Sequence, residues 1–164
     1  MRSLFVLPLL ALSAPTPAQN APVDLLPPVQ AAAPAEPRRA GEPATRRCIR
    51  PEAIDGDTIR CGRRGHRVSH RLLGIDAPEL AGHCRAGRTC APGDPLASRA
   101  ALASLLALGG VTVQSFGPDL YGRRLSIGRT RSGTNLSCAQ ITGGNAVFKP
   151  NWDKALRIKR ECDQ

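Results

Sequence analysis

Six cysteines, Cys48, Cys61, Cys84, Cys90, Cys138 and Cys162, constrain this chain more than any other feature of its sequence. Their number is even, and they follow an N-terminal stretch with the character of an export signal. Met1-Arg2 carries positive charge, Ser3 to Ala14 is apolar apart from Pro8, and small residues lead to an expected cleavage point after Ala18. The apolar run falls short of the roughly 20 residues that a bilayer span needs. No membrane span is therefore expected in the mature chain, and a retained anchor is the less favoured reading. Exported chains fold where paired cysteines persist, so three disulfides are expected, in the periplasm or outside the cell. The rival use of these residues is a zinc site nucleated by His83, Cys84 and Cys90. The lack of a Cys-x-x-Cys pair and the oxidising compartment argue against it.

The rest of the organisation follows from composition. Residues 1–18 read as the signal. Residues 19–45 form a Pro- and Ala-rich stretch, with Pro27-Pro28 and Ala31-Ala32-Ala33-Pro34, that holds too few large apolar side chains to bury a core and is expected to be a disordered linker. Residues 46–164 remain as one folded domain, expected to be monomeric. The net charge of +10, carried mostly by arginine, suits a polyanionic partner such as nucleic acid, since each neutralised phosphate releases counterions. Charge alone does not decide this, because a basic solvated surface has the same composition.

Within the domain, Arg47 to Ile54 alternates as a strand and meets Asp55-Gly56, a hairpin-turn dipeptide. Asp57 to Cys61 and Arg67 to Ile75 read as the next two strands, ended by Pro78. His83 to Pro95 is an exposed loop. Asp94-Pro95 then opens a helix over Leu96 to Leu108, closed by Gly109-Gly110. Val111 to Phe116 and Arg124 to Arg129 are further strands, Asn135 to Thr142 a second helix, and Asp153 to Arg160 a third, basic one. The expected fold is α+β and mainly β: a five-stranded OB-type barrel with two to three helices.

Two segments carry chemistry. In Asp55-Gly56-Asp57-Thr58 two carboxylates flank a turn glycine, and in the run from Arg71 to Glu79 an arginine is followed by Asp76 and Glu79 around a strand end. Asp57 and Asp76 offer oxygen ligands to a hard cation such as calcium. An arginine fork suits a phosphate gaining charge, and Glu79 is placed to act on a water as general base. Taken singly, each feature is an ordinary turn or solvated acid.

Together, Ile54-Asp55-Gly56-Asp57-Thr58, the run Arg71-Leu72-Leu73-Gly74-Ile75-Asp76-Ala77-Pro78-Glu79 and Tyr121-Gly122-Arg123-Arg124-Leu125 resemble three motif blocks of the staphylococcal nuclease (thermonuclease) family, in order and at suitable spacing from about Cys48 to Pro150. The resemblance implies that Asp57 and Asp76 bind Ca2+ directly, that Ala77 offers its backbone carbonyl, and that Asp55 lies beside the ion as an outer acid. It implies Glu79 as general base or water-positioning group, and Arg71 and Arg123 as the phosphate clamp. Tyr121 and Phe148 correspond to nucleotide-contacting positions. Leu120 stands where the best-known member has a lysine, and the second pocket tyrosine is missing, with Trp152 the available substitute. With aromatics only 3% of the chain, stacking platforms are few. Arg85 and Arg88 in the exposed loop are candidates for extra phosphate contacts.

The cysteines are additions to the family pattern. Proximity along the chain suggests Cys48–Cys61 across the first hairpin, Cys84–Cys90 closing the loop, and Cys138–Cys162 tying the tail to the second helix. The resulting expectation is an exported, calcium-dependent nuclease that hydrolyses DNA, RNA or both with little sequence preference and leaves 3′-phosphates. A non-catalytic OB-type module that binds nucleic acid or protein is the alternative, and a disulfide-stapled envelope protein binding acidic polymers is a third.

Overall fold

Residues Thr58–Arg63 (β3) and His66–Leu72 (β4) form an antiparallel hairpin in which Thr58 faces Arg71 and Arg63 faces His66 across a two-residue turn. They belong to a computed structural model that describes residues 43–80, 84 and 86–163. The signal and nearly all of the Pro/Ala-rich stretch, along with His83 and Arg85, lie outside the described residues. Strands Thr45–Arg47 (β1) and Glu52–Ala53 (β2) precede the hairpin, Ile75–Asp76 (β5) follows it, and Thr112–Pro118 (β6), Arg124–Arg129 (β7) and Val147–Phe148 (β8) come later in the chain. β1 starts at Thr45, the last residue of the stretch read as linker. The described residues also hold three α-helices, Pro95–Ala107 (α1), Leu136–Thr142 (α2) and Arg157–Cys162 (α3), so the class is α+β with the sheet predominant.

Six strands form one mixed sheet in the order β1-β6-β7-β4-β3-β2, and β5 pairs with β8 in a second, two-stranded sheet. The parallel contact is β4 with β7, which sets His70 opposite Arg124 and Leu72 opposite Ser126. At this seam the buried His70 accepts from or donates to Ser126 Oγ at 2.9 Å. Burial, followed by the charge of Arg124, holds the imidazole below its ordinary pKa.

Two expected strands are broken, each for a visible reason. The first divides into β1 and β2 because Arg50 turns the backbone into the left-handed region, at φ 48°, immediately before Pro51, which has no N–H to give a ladder. The two ends of the six-stranded sheet are therefore separated by only Cys48 to Pro51. Cys48 N–H donates to Val111 O at 2.9 Å, and Ile49 O accepts from Gly62 N–H at 2.6 Å. The Cys48–Cys61 disulfide fastens the same region. The third strand breaks at Gly74, whose φ of +73° ends β4 and offsets β5. A side chain there would also press on Ile158 and Asp153, at 3.0 and 3.2 Å.

The core lies between the sheet and two helices. Ile59, Leu72, Ile75, Val111 and Val113 from the strands pack against Leu102 and Leu106 of α1 and Leu136 of α2. α1 forms where expected: Asp94 accepts from the Leu96 and Ala97 N–H groups, a cap contributing about 1 kcal/mol, and Pro95 occupies the first helical position. Asn135 caps α2 in the same way. α3 begins four residues later than the sequence suggests. Its buried cap, Asp153, reaches forward to the N–H groups of Arg157, Ile158 and Lys159 while Leu156 adopts a left-handed turn. Ile158 then fills a second cluster with Leu73 and Ile127, joined by Phe116 and Phe148. Cys138–Cys162 and the Arg129–Glu161 ion pair hold α3 down. All three disulfides pair as expected, with Cα separations of 5.0, 6.0 and 5.2 Å in chain order. Because Cys84 and Cys90 are bonded to each other, the zinc alternative loses its thiolates. Among the described residues no helix is long and apolar enough to cross a membrane.

Candidate functional site

The β3–β4 hairpin and the break at Gly74 bring the two acidic segments together. Asp57 lies at the head of β3 and is 2% exposed; Asp76 ends β5 and is 1% exposed. Arg71, near the end of β4, is buried between them. Its Nη1 pairs with Asp57 Oδ1, and its Nη2 donates to Asp76 Oδ1 at 3.2 Å and to Ile75 O at 3.3 Å. The second oxygen of Asp57 accepts the Ala77 N–H at 2.8 Å, and Thr58 Oγ1 donates to the first at 3.1 Å. Asp55 accepts the Asp57 N–H at 2.9 Å and so sits one step outside the pair. Burial pushes Asp57 up to about 7; the Arg71 charge opposes this and Asp55 adds to it.

Glu79 joins the group through Arg88, which emerges from the Cys84–Cys90 loop. Arg88 Nη1 bonds Glu79 Oε1 at 3.0 Å and Nη2 bonds Asp76 Oδ1 at 2.7 Å. Burial disfavours the Arg88 charge, but the two carboxylates more than offset this and raise its pKa above the ordinary value. Lys149 approaches the other oxygen of Asp76 at 3.6 Å, too far for a hydrogen bond, so Asp76 Oδ2 is buried without one. Trp152 covers this cluster. The cationic groups of Arg71, Arg88 and Lys149 lie 5.5, 5.7 and 6.0 Å from its ring centroid, within cation–π range.

The loop bearing Asp55, Gly56 and Asp57 is held from behind by residues that sequence reasoning overlooked. Gln140 of α2, fully buried, donates to Gly56 O at 2.7 Å and to Ser98 O at 3.1 Å. Ser98 of α1 is itself anchored on Asn145 O at 2.6 Å. A polar residue at an inward helix position is a weak signal, and nothing in the local pattern marked either.

Two expected substrate residues, Arg123 and Tyr121, meet each other at the turn before β7. Arg123 is engaged by Asp119, through Nε at 2.7 Å and its own backbone N–H at 2.9 Å, and stacks on Tyr121 at 5.3 Å. Burial works against the Asp119 carboxylate, yet these bonds and the Tyr121 N–H hold it below the usual range. Arg123 and Tyr121 line a shallow cleft of about 400 Å³ with Arg67, Ser69 and Arg124. Arg123 thus lines this cleft while paired with Asp119. Phe148 packs half-buried in the second core cluster, with its strand neighbour Val147 opposite Asp76; the ring beside the acids is that of Trp152.

Among the described residues, no three His, Cys, Asp or Glu side chains are gathered tightly enough to hold a metal ion alone. Two carboxylates, a backbone oxygen and water form a donor set that suits a hard cation with open positions. The unbonded, buried Asp76 Oδ2 is the atom that such an ion would satisfy. Compared with protein-family models and with curated proteins, the chain shows no match.

Proposed function

We propose that this chain is an exported, calcium-dependent phosphodiesterase that hydrolyses nucleic acid, on a sheet that closes into an OB-type barrel. The observation that carries the reading is the placing of Arg71 between two buried aspartates, one just ahead of β3 and one in β5, with an unbonded Asp76 oxygen beside it. Burying this much charge is costly, and a stability role would be served as well by apolar residues; a site that must handle a cation and a phosphate explains the cost. Barrel closure is supported by the sheet ends, β1 and β2, being only Cys48 to Pro51 apart and disulfide-fastened. The three sequence motifs supply the family analogy, and the net charge of +10 suits a polyanionic substrate.

In this reading Asp57 and Asp76, with the Ala77 carbonyl, would hold Ca2+, and Asp55 adds negative charge beside them. An ion held there would supply polarisation of the phosphate and orientation of the nucleophile. Glu79 takes a proton from the attacking water as the new P–O bond forms, and the P–O5′ bond breaks with its electron pair leaving on the 5′-oxygen, which takes a proton from solvent. The 3′-phosphate remains on the other fragment. Arg71 neutralises charge that grows on the phosphate oxygens, and Arg123, from the adjoining cleft, contacts the flanking chain. The substrate is DNA, RNA or both.

The test is cleavage of single-stranded DNA and RNA by the oxidised protein, with calcium or with a chelator. Calcium-dependent cleavage is expected, and Glu79→Gln should lower kcat by two orders of magnitude or more, within the usual range for losing a general base. Absence of turnover with any divalent ion, together with salt-sensitive binding, would replace this proposal with a non-catalytic nucleic-acid-binding module.

A further inference from the structure

Three carboxylates of the cluster, Asp57, Asp76 and Glu79, are met by three cations, Arg71, Arg88 and Lys149. Asp55 adds a fourth carboxylate beside Asp57, so the group carries one negative charge in excess and a divalent cation leaves it one positive charge over. One of the resident cations must leave the carboxylates, or an anion must arrive. Arg71 is buried and additionally tied to Ile75 O. Lys149 makes no hydrogen bond to Asp76. Arg88 combines a fork across Asp76 and Glu79, at 2.7 and 3.0 Å, with a side chain 36% exposed against 9% for Arg71, and its backbone belongs to a loop pinned by Cys84–Cys90.

We propose that Arg88 is a substrate-binding residue that couples the two ligands of the site: it occupies Asp76 and Glu79 until a divalent cation takes Asp76, and the released guanidinium then binds a phosphodiester. The inference rests on Asp57 and Asp76 being cation ligands. Arg88 holds Asp76 through Oδ1 and a cation at Oδ2 would draw on the same carboxylate charge, so each weakens the other. A planar guanidinium fork made for two carboxylate oxygens is equally suited to two phosphate oxygens. Trp152, beneath both Arg88 and Arg71, offers a surface on which the freed group stays close to the site. Cation and phosphate then strengthen each other's binding by the same factor, as linkage requires.

The experiment is titration calorimetry of the oxidised full chain with Ca2+, alone and with dimethyl phosphate, a phosphodiester that the protein would not turn over. Arg88→Gln should bind Ca2+ roughly tenfold more tightly than the wild type without phosphate, the scale for removing two partly exposed ion pairs. Dimethyl phosphate should tighten Ca2+ binding to the wild type by several-fold and to Arg88→Gln by distinctly less, where only the ion's own contact with the phosphate and Arg71 remain. Arg88→Lys, which keeps the charge and loses the fork, should fall between the two and guards against a variant that fails to fold; thermal melts of both check that. Equal Ca2+ affinity in folded wild type and Arg88→Gln overturns the role of Arg88 and leaves the cation site standing. Tighter Ca2+ binding with unchanged phosphate coupling overturns the phosphate half of the proposal. Failure of both proteins to bind Ca2+ overturns this inference and the calcium reading together.

Discussion

Replacing Gly56 by alanine tests the packing behind the acidic loop with a single methyl group. A Cβ on Gly56 would stand 1.8 Å from Ser98 Oγ, 2.7 Å from Ala77 Cβ and 2.9 Å from Ser98 Cβ. The Ser98 hydroxyl can turn away only by surrendering its bond to Asn145 O, in a position that is 1% exposed. That loss costs about 1–2 kcal/mol. Ala77 has no rotamer to change, so the backbone must move, and its N–H is the donor to Asp57. Overpacking of this kind adds about 1–3 kcal/mol. Gly56→Ala is therefore expected to lose roughly 2–5 kcal/mol, a large part of the usual 5–15 kcal/mol stability of a domain. Urea unfolding of the oxidised protein measures it, with the midpoint falling at unchanged slope. Ser98→Ala removes the closest clash, so in a double-mutant cycle it should recover at least about 1 kcal/mol of the loss. A Gly56→Ala protein within about 0.5 kcal/mol of wild type, or an additive cycle, would refute the packing argument.

Two further outcomes follow from the same structure. Because folding lowers the pKa of His70, the unfolded chain takes up a proton there first as pH falls; His70 should cost nothing above its unfolded value near 6.5, and stability should drop progressively below it. Comparing urea midpoints of wild type and His70→Gln between pH 7 and 5 should show a shallower decline for the variant, and parallel declines would contradict it. Removing the Cys138–Cys162 bridge as a double serine variant, which opens a separation of 24 residues, should cost about 3–4 kcal/mol on the chain-entropy argument. Thermal or urea denaturation would show it, and a loss below about 1 kcal/mol would mean that α3 is held by Ile158 and the Arg129–Glu161 pair alone.

Local signals made much of this arrangement legible. Asp94-Pro95 marked the start of α1, and the cysteine spacing anticipated all three disulfides. Asp-Gly at 55–56 reads as a hairpin turn, yet Gly56 does not adopt a positive φ; the residue is small because Ser98 and Ala77 leave no room. Such a reason depends on α1, some forty residues away, and no window of sequence contains it. The same holds for β8, two residues that pair with Ile75 and Asp76, and for the late start of α3, whose cap is four residues upstream of its first turn. Asp57, Asp76 and Arg71 were legible because they lie on one hairpin and its extension. Arg88 was visible only as one basic residue in a loop, since its partners were set by the disulfide and by tertiary contact.

The parallel seam of β4 and β7 joins residues 54 positions apart, and Asp76 is paired with Val147, 71 positions downstream. A nascent chain that has passed α1 already carries every carboxylate of the cluster, but lacks the strand that fixes Asp76, the Trp152 cover and the cysteine that locks α3. Distant pairings of this kind form slowly, because loop closure comes before any reward. The cluster is thus completed only by residues that follow α1 in the chain, and until they emerge the acids exist as sequence and not yet as an assembled group.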